Sequence, residues 1–171
     1  LNRGNNFQIS TGLTETALQS YMGRAVYTFM NRYTVSGAVR RDGASQLAAG
    51  RKWETFPTVG LAWQLGDEPF MDRFGFLNAL KLRGSWGITG NSSVGAYQTQ
   101  GALACGTINF ASAGAPACYP DANNPANPFL TWETTTKKDL GAEFAVWNNR
   151  VSGAIDLYRG DTEDLLLRRS L

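Results

Sequence analysis

The chain has 171 residues, enough for one domain with a sizeable core, and its 43% hydrophobic and 18% charged content excludes a disordered segment. A net charge of +2 is too small to argue for a nucleic-acid partner, and the absence of histidine removes Ser-His-Asp and Cys-His catalysis together with the commonest metal ligand. Nineteen glycines and 12% aromatic residues suit strands and turns, and no apolar run approaches the roughly 20 residues of a membrane-spanning helix.

Residues 1–19 are polar, rich in Gly and Asn, and read as loop. The chain opens on Leu1 without a charged, then apolar start, and the expectation is a piece of a longer protein. From there the pattern is one of strands, in which successive side chains point to opposite faces. Residues 20–29 put Tyr21, Ala25, Tyr27 and Phe29 on one face and Arg24 and Thr28 on the other. Met30, Asn31 and Arg32 make a short turn, and residues 33–41 return with Tyr33, Val35 and Val39 opposite Thr34, Ser36 and Arg40. Residues 42–52 read as loop. Residues 53–65 form the next strand, with Pro57 near its start and Val59, Leu61, Trp63 and Leu65 on one face. A connector over 66–78 contains one expected helical turn around residues 68–73.

Residues 79–91 carry the clearest alternation, Leu80, Leu82, Trp86 and Ile88 against Lys81, Arg83, Ser85 and Thr89. Residues 92–130, with Pro116, Pro120, Pro125 and Pro128, read as one long loop. Residues 132–146 set Leu140, Ala142, Phe144 and Val146 against Asp139, Gly141 and Glu143. After a tight turn at residues 147–150, residues 151–158 set Val151, Ile155 and Leu157 against Ser152, Ala154 and Asp156. Residues 161–169 begin a further loop or strand.

The fold class is therefore all-β, with antiparallel up-and-down strands. Two architectures share this pattern. In a soluble sandwich of a secreted binding or adhesion module, the greasy faces pack together. In a transmembrane barrel, they face lipid. The connections alternate between long and short, as in outer-membrane barrels with short turns at one end and long loops at the other. Aromatic residues also gather near strand ends: Phe29, Tyr33, Trp63, Phe70 and Trp147 at the short-turn end, Trp53, Phe56, Trp132 and Tyr158 toward the long-loop end, the placement of an interfacial girdle.

Six stretches carry a resemblance. They are Ser20-Tyr-Met-Gly-Arg24; Arg40-Arg-Asp-Gly-Ala-Ser45; Thr55-Phe-Pro-Thr-Val-Gly-Leu-Ala-Trp63 running on to Glu68-Pro-Phe-Met71; Leu80-Lys-Leu-Arg-Gly-Ser-Trp-Gly-Ile-Thr-Gly-Asn91; Asn127-Pro-Phe-Leu-Thr-Trp-Glu133; and Asn148-Asn-Arg-Val-Ser-Gly153 with Asp164-Leu-Leu-Leu167. In this order they resemble the barrel of the SusC/RagA-type TonB-dependent outer-membrane transporters. The resemblance implies that residues 1–171 are part of a large transmembrane β-barrel domain, about six strands of a wall of roughly 22. It implies a plug domain and remaining strands outside these residues, energy from the TonB complex acting through that plug, and a SusD-like surface lipoprotein as partner. It also implies import of glycans, peptides or other large nutrients across the outer membrane, with no cofactor and no enzymatic activity. Taken alone, six strands would leave two open edges that a bilayer cannot satisfy.

On this reading Val59, Leu61, Leu80, Leu82, Ile88, Leu140, Phe144, Ile155 and Leu157 face lipid. Arg24, Arg40, Lys81, Arg83, Asp139, Glu143 and Asp156 face the lumen, where they either contact plug or substrate or form plain cross-strand ion pairs on a solvated face. Cys105 and Cys118, in a chain exported to an oxidising compartment, are expected to pair, with a structural role. The glycines at 84, 87 and 90 do not match a phosphate-binding loop, and Asp121-Ala-Asn-Asn124 is interrupted by Pro125 before it can become a calcium loop. A glycosidase on a β scaffold has only scattered carboxylates behind it. Residues 42–52 and 92–130 are the loops placed to meet cargo or lid.

Overall fold

The computed structural model describes residues 12–110 and 113–167. The loop reading of residues 1–11 and the end of the tail beyond residue 167 lie outside it. Eight strands form two sheets: β1 (Leu18–Phe29), β2 (Tyr33–Ala44), β3 (Trp53–Gln64), β4 (Leu77–Asn91), β5 (Leu103–Phe110), β6 (Ala113–Pro120), β7 (Glu133–Val146) and β8 (Val151–Glu163). Six of them make one antiparallel sheet in the order β1-β2-β3-β4-β7-β8, and β5-β6 form a separate hairpin between β4 and β7. The six long strands are those expected, with limits that agree within three residues, except that β8 runs five residues past its predicted end and takes in residues 161–163, expected to begin a further loop or strand. The hairpin corrects the reading of 92–130 as featureless loop. Ten of its sixteen residues are Ala, Gly, Cys or Pro, and polar–apolar alternation is confined to Thr107–Phe110, too short a run to stand out as a strand signal. The expected helical turn around 68–73 is instead two 3-10 turns, Leu65–Asp67 and Met71–Arg73.

The short turns are made where side chains tolerate positive φ. Met30 and Asn31 have φ of 51° and 55°, and the Arg32 amide donates back to the Phe29 carbonyl. Trp147, Asn148 and Asn149 are left-handed in succession, with the asparagines carrying most of that conformation at low cost.

The strand register assigns the faces. Tyr27↔Val35↔Leu61, Leu82↔Ala142↔Ile155 and Leu140↔Leu157 lie side by side, as do Arg83↔Gly141↔Asp156. Val59, Leu61, Leu80, Leu82, Ile88, Leu140, Phe144, Ile155 and Leu157 all fall on the first face, and Arg24, Arg40, Lys81, Arg83, Asp139, Glu143 and Asp156 on the second. Among the described residues no second layer covers the apolar face: Leu82 is 38% exposed and Leu157 70%. A sandwich would bury these residues against another sheet about 10 Å away. The soluble-sandwich alternative is thereby corrected.

What core there is sits at the long-loop end. Ala44, Leu47, Phe56 and Trp132 are buried together, with Ile88, Val94 and Leu130 packed on them. The pairing of β3 with β4 stops at Thr58, one residue short of Pro57, which has no amide to continue that ladder. In the gap the Phe56 ring lies across Gly90, where any Cβ would collide with it. Trp132 Nε1 donates to the Lys52 carbonyl at 3.0 Å, and the Ala48 amide donates to the Leu130 carbonyl at 3.1 Å. These bonds tie the β2–β3 loop to the β4–β7 connection. Phe56 and Trp132 are therefore core residues, and Tyr158 lies on the polar face. Of the four aromatics expected to gird the long-loop end, Trp53 alone stands on the apolar face there.

Candidate functional site

The second face gathers charge across β4, β7 and β8. Arg83 is the centre. Its Nη2 donates to Asp156 Oδ1 at 2.8 Å, although β7 runs between the two residues, and its Nη1 lies 3.3 Å from Glu143 Oε1. The reach is possible because the position between them is Gly141, where a Cβ would strike both the Arg83 side chain and Asp156 Oδ1. One level nearer the short turns, Lys81 Nζ sits 3.8 Å from Glu143 Oε2. One level the other way, Ser85 Oγ donates to Asp139 Oδ2 at 3.3 Å. Two cations thus meet three carboxylates, leaving the ladder with one negative charge in excess. The charged groups are about one-third to one-half exposed, so each pair contributes on the order of 0–1 kcal/mol and the ladder is a polar surface, not a stabilising core.

Of the residues expected on this face, the ladder brings together Lys81, Arg83, Asp139, Glu143 and Asp156. It leaves out the other two. Arg24 stands opposite Ala38 on the edge strand. Arg40 turns to Asp42, with Nε at 2.8 Å from Oδ2. Asp42 is completely buried and its Oδ1 has no partner among the described residues. This pair went unread in the sequence, although an Arg and an Asp two apart on one strand necessarily share a face.

A second node also escaped the sequence reading. Glu68, buried in the β3–β4 connection, accepts hydrogen bonds from Tyr33 Oη at 2.5 Å and Trp63 Nε1 at 3.0 Å, with Arg32 Nη1 3.5 Å away. The Tyr33 hydroxyl first, then the Trp63 N–H, hold its carboxyl below the usual range, Arg32 adds to this, and burial opposes it. The node straps the connection to the stacked Tyr33 and Trp63 rings at the short-turn end. At the other end, Cys105 and Cys118 face each other across β5 and β6 and are joined as a disulfide.

The apolar face has a sharp boundary. From the short turns upward it carries no charged side chain until Arg41, Lys138 and Arg159, which stand eight residues beyond Tyr33, Val146 and Val151 respectively. Eight residues cover about 26 Å along a strand, or roughly 20 Å in height at a barrel tilt near 40°.

Comparison with known proteins agrees with this geometry. Residues 2–171 match the family described as TonB dependent receptor-like, beta-barrel. The chain is 36% identical over 155 residues to the TonB-dependent receptor SusC of Bacteroides thetaiotaomicron, covering 90% of this chain and 16% of that protein. It is 33% identical over 157 residues to the TonB-dependent receptor P39 of Formosa agariphila, covering 91% of this chain and 14% of that one. Its backbone superposes on the RagAB peptide importer in the open-open state with a TM-score of 0.76 at 27% identity, covering 89% of this chain and 16% of the other. The chain therefore spans about one-sixth of the length of the relatives it matches.

Proposed function

The chain belongs to the TonB-dependent receptor-like β-barrel family, and we propose that its six-stranded sheet is a segment of the wall of an outer-membrane transporter importing large nutrients. The observation that carries this reading is the uncovered apolar face, free of charge from the short turns to the row of Arg41, Lys138 and Arg159. Its height is close to the apolar band of about 25 Å that such barrels present to lipid. Val59, Leu61, Leu80, Leu82, Leu140, Phe144, Ile155 and Leu157 then face the bilayer; Ile88, two residues beyond the level of Lys138, is taken up by the Phe56–Trp132 core instead. The ladder of Lys81, Arg83, Asp139, Glu143 and Asp156, with Arg24 and Arg40, lines the lumen.

The similarity to SusC and to RagAB supports a surface lipoprotein of the SusD type as partner, energy from TonB acting through a plug domain, and glycans or peptides as cargo. Within this reading, the polar ladder is a contact surface for the plug: its excess carboxylate suits a plug face carrying basic or hydrogen-bond-donating groups. The test is a nitroxide scan along β8 of the full-length transporter in lipid. Positions 153, 155 and 157 should collide with oxygen dissolved in the bilayer, and 152, 154 and 156 should not. Reversed phase, or equal access to a water-soluble nickel chelate at all six, would sink the proposal.

A further inference from the structure

At the long-loop rim of the apolar face, Arg41 is held in an unusual way. Its guanidinium carbon lies 5.7 Å from the centre of the Trp53 ring. The indole lies flat over β2 at Gly43, where a Cβ would come within 2.6 Å of it, and stacks on Tyr21 with centroids 6.0 Å apart and planes at 20°. Gln19 Nε2 donates to the Tyr21 hydroxyl and steadies the outer ring. The rings thus form a platform across β1, β2 and β3.

Three other arginines of the sheet are matched by carboxylates, Arg40 by Asp42, Arg83 by Glu143 and Asp156, and Arg159 by Asp161, while Arg24 stands on the opposite face across from Ala38. Among the described residues, Arg41 has no carboxylate within ion-pair distance. Lys138 is equally unmatched and stands at the same level, directly opposite Arg159, whose own charge is met by Asp161.

We propose that the Arg41–Trp53–Tyr21 platform binds the phosphate of a lipid headgroup in the leaflet next to the long loops, with Lys138 serving a neighbouring lipid on the same rim. The inference rests on the apolar face being the lipid side. The occupant follows from continuity: acyl chains that cover Leu61, Val59 and Val39 bring their own headgroups to the depth of Arg41. The chemistry selects phosphate, because a planar guanidinium with its donors unspent engages two phosphate oxygens at once, and stacked aromatic rings seat at headgroup depth.

The test uses the full-length transporter in nanodiscs and native mass spectrometry, with phosphatidic acid and phosphatidylcholine of identical chains as probes. The wild type should retain phosphatidic acid preferentially, and Arg41→Gln should weaken that preference by about fivefold, the equivalent of ~1 kcal/mol per surface cation. Arg41→Lys should retain part of it, and Arg24→Gln, on the opposite face, should change nothing. Equal retention of both lipids by the wild type, an unchanged preference in Arg41→Gln, or full displacement by millimolar inorganic phosphate would overturn the proposal. A nitroxide at position 157 separates the two levels of inference. If it is accessible to oxygen while phosphate preference is absent, the headgroup site alone fails; if it meets only water, the wall reading fails with it.

Discussion

Arg83 shows how one missing side chain organises a site. Without the open space at Gly141, its guanidinium could not pass over β7 to Asp156. Because the pair is half exposed, a double-mutant cycle on Arg83→Ala and Asp156→Ala should return a coupling of about 0.2–1 kcal/mol, read from urea unfolding of the lipid-reconstituted protein. Gly141→Leu should disturb the ladder more than either, since it displaces both partners at once. Glu68 makes a different prediction. Its carboxyl is held below the ordinary value near 4.3, so the stabilisation it gives is fully present above that value and is lost as pH falls through the depressed one. The stability gap between wild type and Glu68→Gln should be constant at neutral pH and close on acidification. A gap that widened in acid would reverse the assigned sign. The Arg83 ladder was legible in outline, since alternation alone puts its members on one face. The Glu68 node was not, because a carboxylate in a connection gives no sign of which strand it will fold back upon.

Among the elements, the strands were readable wherever polarity alternated, and the reading failed where composition carried too little alternation. The β5–β6 hairpin is the clearest failure: only its register, with Cys105 opposite Cys118, reveals it. The bond closes a loop with a sequence separation of 13, worth about 3 kcal/mol in the chain-entropy account. Reduction should therefore expose residues 103–120 to protease while leaving the six-stranded sheet resistant, a contrast visible in timed digests with and without reductant. Loss of the whole sheet on reduction would mean the hairpin is part of its folding unit. The apolar strands invite a depth test. Ile155 lies midway between the short turn and the cationic row, so Ile155→Arg should cost about 2–4 kcal/mol, whereas Phe144→Arg, two residues from the turn, should cost about 0–1. Equal costs in lipid unfolding titrations would argue against a membrane boundary at the turns.

For the molecule as a whole, register converts scattered patterns into two continuous surfaces, and the small core explains where pattern misleads. Phe56 and Trp132 look like girdle residues in the sequence, yet the break in pairing at Pro57 draws them into the one place where the sheet has an interior. No local signal announces that break's effect on a tryptophan some 75 positions away, because the contact is made only when the β2–β3 loop meets the β4–β7 connection. The row of Arg41, Lys138 and Arg159 has a mechanical meaning as well. If the sheet is a membrane wall as proposed, charges bounding the apolar face above and the Tyr33–Trp63 stack marking it below make its vertical position a stiff coordinate. With the apolar face meeting lipid in this way, sinking would carry cations into hydrocarbon at a cost growing from about 0–1 toward 2–4 kcal/mol apiece as they near the midplane, and rising would lift the lower rings off their interface. On the proposed reading, a wall so tethered would bear an axial pull on whatever is seated inside it without being dragged along.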